Sequence, residues 1–229
     1  LKSWGYEVDE NLSDSSCQEI IRFLNDWKQK INPLYLMVSL PPTFSYPAND
    51  TTTKILKEAV IPFCRDSGLP LALMIGVKRA VNPSLQLAGD GLGRADLVAL
   101  ESLCAENQDV KFLCTVLSRE NQQELCVIGR KFRNLHIFGC WWFTNIPSII
   151  EEMTRLRLEL LGTSFTAQDS DARVLDQVIY KWNHSRQIMI DVLTDKYTHL
   201  SQTGWPLTDQ AIQRDVNNLL GAGFEEFCR

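Results

Sequence analysis

The sequence predicts an α/β fold: the C-terminal portion, about strands four to eight and their helices, of a parallel (β/α)8 barrel of the TIM type, followed by further helices. Three observations predict it. Five short runs are apolar almost without interruption, as strands buried on both faces are. Stretches with helical periodicity lie between them, and the runs begin near 34, 69, 110, 135 and 160, a unit of roughly 25 to 40 residues such as a βα repeat occupies.

The first helical stretch carries Cys17, Ile20, Leu24 and Trp27 on one face behind Ser16 and Glu19, which have the spacing of a capping box. The first strand follows near 34–40 (LYLMVSL), then a helix over about 54–64 and a second strand near 69–77 (LPLALMIGV). A helix over about 94–106 leads to the third strand, near 110–117 (VKFLCTVL), and one over 121–131 to the fourth, near 135–143 (LHIFGCWWF). Pro147 suits the first turn of a helix over 147–158, after which LLGTSF, near 160–165, reads as the fifth strand. Two helices close the pattern. One spans 174–193 with Val174, Leu175, Val178, Ile179 and Trp182 on one face, and one spans 208–220, with Thr208 as N-cap and Gly221 as stop. We expect all 229 residues to form one partial barrel domain.

Composition narrows the function. With 45% hydrophobic and 22% charged residues the chain can bury a core. Its net charge of −5 and lack of basic runs argue against nucleic acid and membrane surfaces as partners and favour a small molecule. Seven cysteines without a C-x-x-C pair argue against a disulfide framework and a zinc knuckle, which fits a cytoplasmic protein. No run reaches the roughly 18 apolar residues of a membrane span. Nothing resembling G-x-G-x-x-G or a P-loop follows any strand, so a barrel is favoured over a doubly wound nucleotide-binding sheet. The opening Leu1-Lys2-Ser3-Trp4 leads us to expect that the chain begins inside a longer protein.

In a barrel the chemistry lies where strands run into the loops that follow them. The richest such place is Asp169-Ser170-Asp171-Ala172-Arg173, with two carboxylates and a guanidinium in five residues. Asp can bind a cation or take a proton, and Arg can grip a carboxylate through two parallel hydrogen bonds. The same residues are also what a helix N-cap needs. Lys78 and Arg79 follow the second run, where they could meet an anion or merely solvent, and adjacent Trp141 and Trp142 should face opposite sides of the fourth strand. His136, His184 and His199 form neither H-x-H nor H-E-x-x-H and read as packing or surface residues.

The segments GCWWF (139–143), MTRLR (153–157), LGTSF (161–165) and SDAR (170–173), with LSREN (117–121) and MIGVKR (74–79) in matching order, resemble the C-terminal half of uronate isomerases. That family belongs to the amidohydrolase superfamily of metal-dependent (β/α)8 barrels and interconverts aldouronates such as D-glucuronate or D-galacturonate with ketouronates. The resemblance implies a divalent metal, usually zinc, held by an H-x-H on the first strand and by Asp171, which stands at the strand-eight position and is also the implied catalytic residue. It implies that Arg173 faces the substrate carboxylate, that Arg79 supplies a second cation after strand five, and that Trp141 and Trp142 are the strand-seven aromatic pair. Two departures stand out: Met74 where many relatives have His, and Leu40-Pro41-Pro42 where they have an acid. The H-x-H and strands one to three are absent from the sequence. The expected function is therefore aldose–ketose isomerisation of hexuronates by an intact parent, with this piece alone inactive. It would pair with itself or with the missing part. A metal-dependent hydrolase on the same scaffold and a non-catalytic truncated product are the alternatives.

Overall fold

The computed structural model describes residues 1–229. Its centre is a five-stranded parallel sheet made of β1 (Leu36–Leu40), β2 (Leu71–Ile75), β5 (Phe112–Val116), β6 (Leu135–Phe138) and β7 (Phe165–Thr166), which lie side by side in that order. The other two strands, β3 (Val77–Lys78) and β4 (Gly91–Leu92), form a separate antiparallel ribbon. Spatial order in the main sheet thus follows chain order with no reversal, the opposite of a doubly wound sheet with its switch point. Each crossover carries helix: α2 and α3 (Thr51–Ile55, Ile61–Ser67), α4 (Val98–Glu106), α5 (Gln122–Gly129) and α6 (Pro147–Leu161), while α1 (Asp14–Ile31) precedes the sheet and α7 (Leu175–Gln202), α8 (Asp209–Asn217) and α9 (Gly223–Cys228) follow it.

Alternation along the strands divides two cores. Leu71, Leu73 and Ile75 of β2 and Phe112, Cys114 and Val116 of β5 point into the large core beneath the helices. Ala72, Met74, Leu113 and Phe138 point to the opposite face, where Phe224 and Phe227 of α9 and Tyr35 pack over them. Every residue of β2 and β5 is buried, which is why their sequences show no polar alternation.

Several expected boundaries shift. The second run breaks at Gly76 (φ 125), whose left-handed backbone turns the chain out into the β3–β4 ribbon. The fourth ends at Phe138, because Gly139 (φ 72) and then Trp142 (φ 45) take the chain off the sheet. Trp141 and Trp142 are therefore loop residues and not opposite faces of a strand. In LLGTSF, Leu160 and Leu161 complete α6, Gly162 ends it, and only Phe165 of that run lies in β7. A short apolar run suits a helix end as well as a strand. The first helix is capped by Ser13, whose side chain accepts from the Ser16 amide, and not by Ser16. α7 extends to Gln202, and Gly221 (φ 146) kinks the C-terminal helices without stopping them. Thr208 caps α8 as expected, and Pro147 stands in the first turn of α6. No helix is long and apolar enough to cross a membrane.

Candidate active site at the strand ends

The C-terminal ends of the five parallel strands open onto one face of the molecule, and β7 delivers the densest group of polar residues there. Gln168 is buried and anchors the segment: its Oε1 accepts from the Cys140 amide (3.3 Å), and its Nε2 donates to Ser185 Oγ (2.7 Å) and Asn145 Oδ1 (3.2 Å). This ties the end of β7 both to the Trp141–Trp142 loop and to α7. His184 Nε2 meets the same Asn145 oxygen at 3.2 Å.

Asp169 comes next. Its Oδ1 is buried with no hydrogen-bond partner. Burial, reinforced by the charge of Asp171, pushes its pKa up to about 6, against the pull of Lys181 and Arg157. Asp171 stands further out at the rim with its backbone at φ 36. Partial desolvation raises its pKa while Lys181 and Arg173 oppose the rise. Arg157, only 1% exposed, donates from Nη1 to Gly139 O (2.8 Å) and from Nη2 to Gln122 Oε1 (3.2 Å), a buried cation on the helix side of the Gly139 turn.

Two adjoining cavities share Met37, Met74 and Asp171. The first, of 460 Å³, has an apolar floor that includes Tyr35, Phe138 and Phe224, with Thr166, Gln168 and Asp169 at one side. The second, of 560 Å³, lies between the β3–β4 ribbon and the start of α7. Its walls hold Arg79, Trp141, Trp142, Asp171 and Arg173, all five residues singled out from the sequence. Arg79 is ion-paired with Asp90 across the ribbon, so its guanidinium is held rather than loose. Trp141 is buried, and Trp142 stacks on Phe143 with centroids 4.6 Å apart. The cleft thus sets one carboxylate, that of Asp171, beside three cations, because Lys181 also lines it. Such a surface can hold a small polyhydroxylated anion and exchange a proton with it.

Sequence reading missed Lys181 and the anchoring role of Gln168, and it preferred Asp171 to the deeper Asp169. A usable signal for Lys181 was its place in the second turn of the helix that follows the strand-end loop. Within this chain no three His, Cys, Asp or Glu side chains converge on a metal position. The orphaned Asp169 oxygen and the Asp171 carboxylate are what the chain can offer an ion. They do not make a complete centre.

No protein-family model and no curated protein sequence matches the chain. Solved structures do. A uronate isomerase from Bacillus halodurans C-125 superimposes with a TM-score of 0.96 at 50% identity, over 99% of this chain and 54% of that one. A uronate isomerase from Thermotoga maritima (TM-score 0.80, 15% identity, 98% of this chain and 55% of that one) has the same fold. So does a glucuronate isomerase from Caulobacter crescentus, with a TM-score of 0.75 at 14% identity over 93% of this chain and 50% of that one. The chain spans about half the length of each. In sequence and in fold, then, this chain is similar over its whole length to about half of a uronate isomerase.

Proposed function

We propose that the chain supplies strands four to eight of a (β/α)8 barrel that isomerises hexuronates, D-glucuronate or D-galacturonate, to the corresponding ketouronates. The observation that carries this reading is the 560 Å³ cleft, in which Arg79, Trp141, Trp142, Asp171 and Arg173 share one space. Arg173 and Arg79 hold the sugar acid's carboxylate. The indole walls exclude water from one side of the sugar. Asp171 takes the proton that leaves C2 and returns one at C1, as a hydrogen passes from the C2 hydroxyl to the C1 oxygen. A divalent metal, zinc in this reading, would polarise a substrate oxygen when bound, with Asp171 as this chain's ligand and the others outside its 229 residues. Partnership with the complementary part of a barrel, or with a second copy, and residence in the cytoplasm complete the proposal. All seven cysteines are free thiols, as a reducing compartment leaves them.

The test is a chimera in which this chain replaces the matching 54% of the B. halodurans enzyme. It should convert D-glucuronate or D-galacturonate to the ketouronate, followed by NMR of the sugar. A folded, metal-loaded chimera that leaves both sugars unchanged overturns the proposal.

A further inference from the structure

The turn that bears Asp171 and Arg173 is gripped from outside by one face of α7. Lys181 Nζ donates to the backbone carbonyl of Asp171 at 2.8 Å, and Gln177 Oε1 accepts from the backbone amide of Arg173 at 2.8 Å. Gln177 and Lys181 are four residues apart, so they stand one above the other on the helix surface. Between their two contacts lies a backbone in a sparsely populated conformation. Asp171 has φ 36, in the left-handed region that non-glycine residues seldom occupy. Lys181 does not spend its bond on a side-chain carboxylate, although Asp169 and Asp171 are both near enough to feel its charge. Both Gln177 and Lys181 line the same cleft as the residues they hold.

We propose that Lys181, with Gln177, is a positioning residue of the candidate site: its ammonium holds the carbonyl of Asp171 and thereby fixes the directions in which Asp171 and Arg173 point. The proposal rests on the isomerase reading for its effect on turnover, but the clamp itself belongs to this chain. An ammonium is suited to the task because it donates in three directions, so it can keep the carbonyl while its charge faces an anionic ligand. A displacement of the order of 1 Å in a catalytic group can cost about 100-fold in rate, which is the scale on which such a clamp acts.

Two readouts separate the clamp from the function. In the isolated chain, Lys181→Met should move the carbonyl carbon resonance of Asp171 and the amide resonance of Arg173, and Lys181→Arg should restore both. In the chimera described above, Lys181→Met should lower kcat for glucuronate by about 10- to 100-fold with KM little changed, and Lys181→Arg should recover most of the loss. If Lys181→Met does not fold, Lys181→Gln, too short to reach the carbonyl, is read the same way. Unmoved Asp171 and Arg173 resonances overturn the proposal, as does a loss confined to KM, which would make Lys181 a direct substrate contact. A wild-type chimera without activity defeats the isomerase reading alone, and the resonances then decide the clamp.

Discussion

Gly139 and Asp169 occupy complementary space: a Cβ on Gly139 would stand 2.4 Å from Oδ1 of Asp169. The glycine is also at φ 72, where any side chain is strained. Gly139→Ala should therefore destabilise the chain by about 1–3 kcal/mol and push the Asp169 carboxylate out of its pocket. Urea unfolding measures the first effect. A variant with an unchanged midpoint and slope would show that the turn is slack.

His136 lies on the sheet face that α9 covers, bonded through Nε2 to Thr166 Oγ1 (2.9 Å), with the Phe227 ring 5.1 Å from its own. Burial, with a smaller push from Arg157, lowers its pKa to about 4. In the unfolded chain it protonates near the ordinary value of about 6.5. Between these values the unfolded state binds more protons, so stability rises with pH across the window. The contribution is complete above about 6.5 and is lost as pH falls toward 4. Its size is about 3 kcal/mol. His136→Gln keeps a donor for Thr166 and should flatten the dependence, which denaturation midpoints at pH 4.5 and 7.5 would reveal. The same slope in both proteins would rule His136 out as its source.

Zinc titrated into the isolated chain should bind weakly, because Asp171 and Asp169 provide two carboxylates where a mononuclear site needs three or four ligands. Calorimetry is the check. A single site well below micromolar would mean that this half alone builds a metal centre.

In the chimera, Arg173→Lys should reduce kcat/KM for hexuronates by roughly 30- to 1000-fold, about 2–4 kcal/mol, since Lys keeps the charge but loses the planar fork that matches a carboxylate. Asp171→Asn should do at least as much harm and lower zinc content, measured by atomic absorption. Near-normal turnover and full metal in both variants would confine these residues to shaping the loop before α7, whose N-cap is Val174.

The architecture was legible because continuous burial leaves a mark that composition carries: strands such as Leu71–Ile75 and Phe112–Val116 can contain little that is polar, and the helices between them must repeat at their own period. The Asp169–Arg173 cluster was legible because five consecutive residues travel together in any fold. Boundaries set by one residue's backbone were not. Gly139 and Trp142 end the fourth run, and Leu160 and Leu161 join a helix, through dihedral angles and packing that an apolar letter does not encode.

By itself, then, the sequence determined the parallel α/β pattern and where most of its strands and helices lie, and, through its resemblance, the candidacy of Asp171, Arg173, Arg79, Trp141 and Trp142. Only the tertiary structure decided that the ribbon carrying Arg79 and the loop carrying the tryptophans flank one cleft with the end of β7. It also decided that Asp169 has a buried, unpartnered oxygen where Asp171 stands at the rim, and that Lys181 and Gln177 reach back from α7 to the turn before it. The physical reason is distance along the chain. A residue's own chemistry and its near neighbours are written locally, whereas desolvation, charge proximity and hydrogen bonds between segments exist only once the strands have brought remote residues to the same end of the sheet.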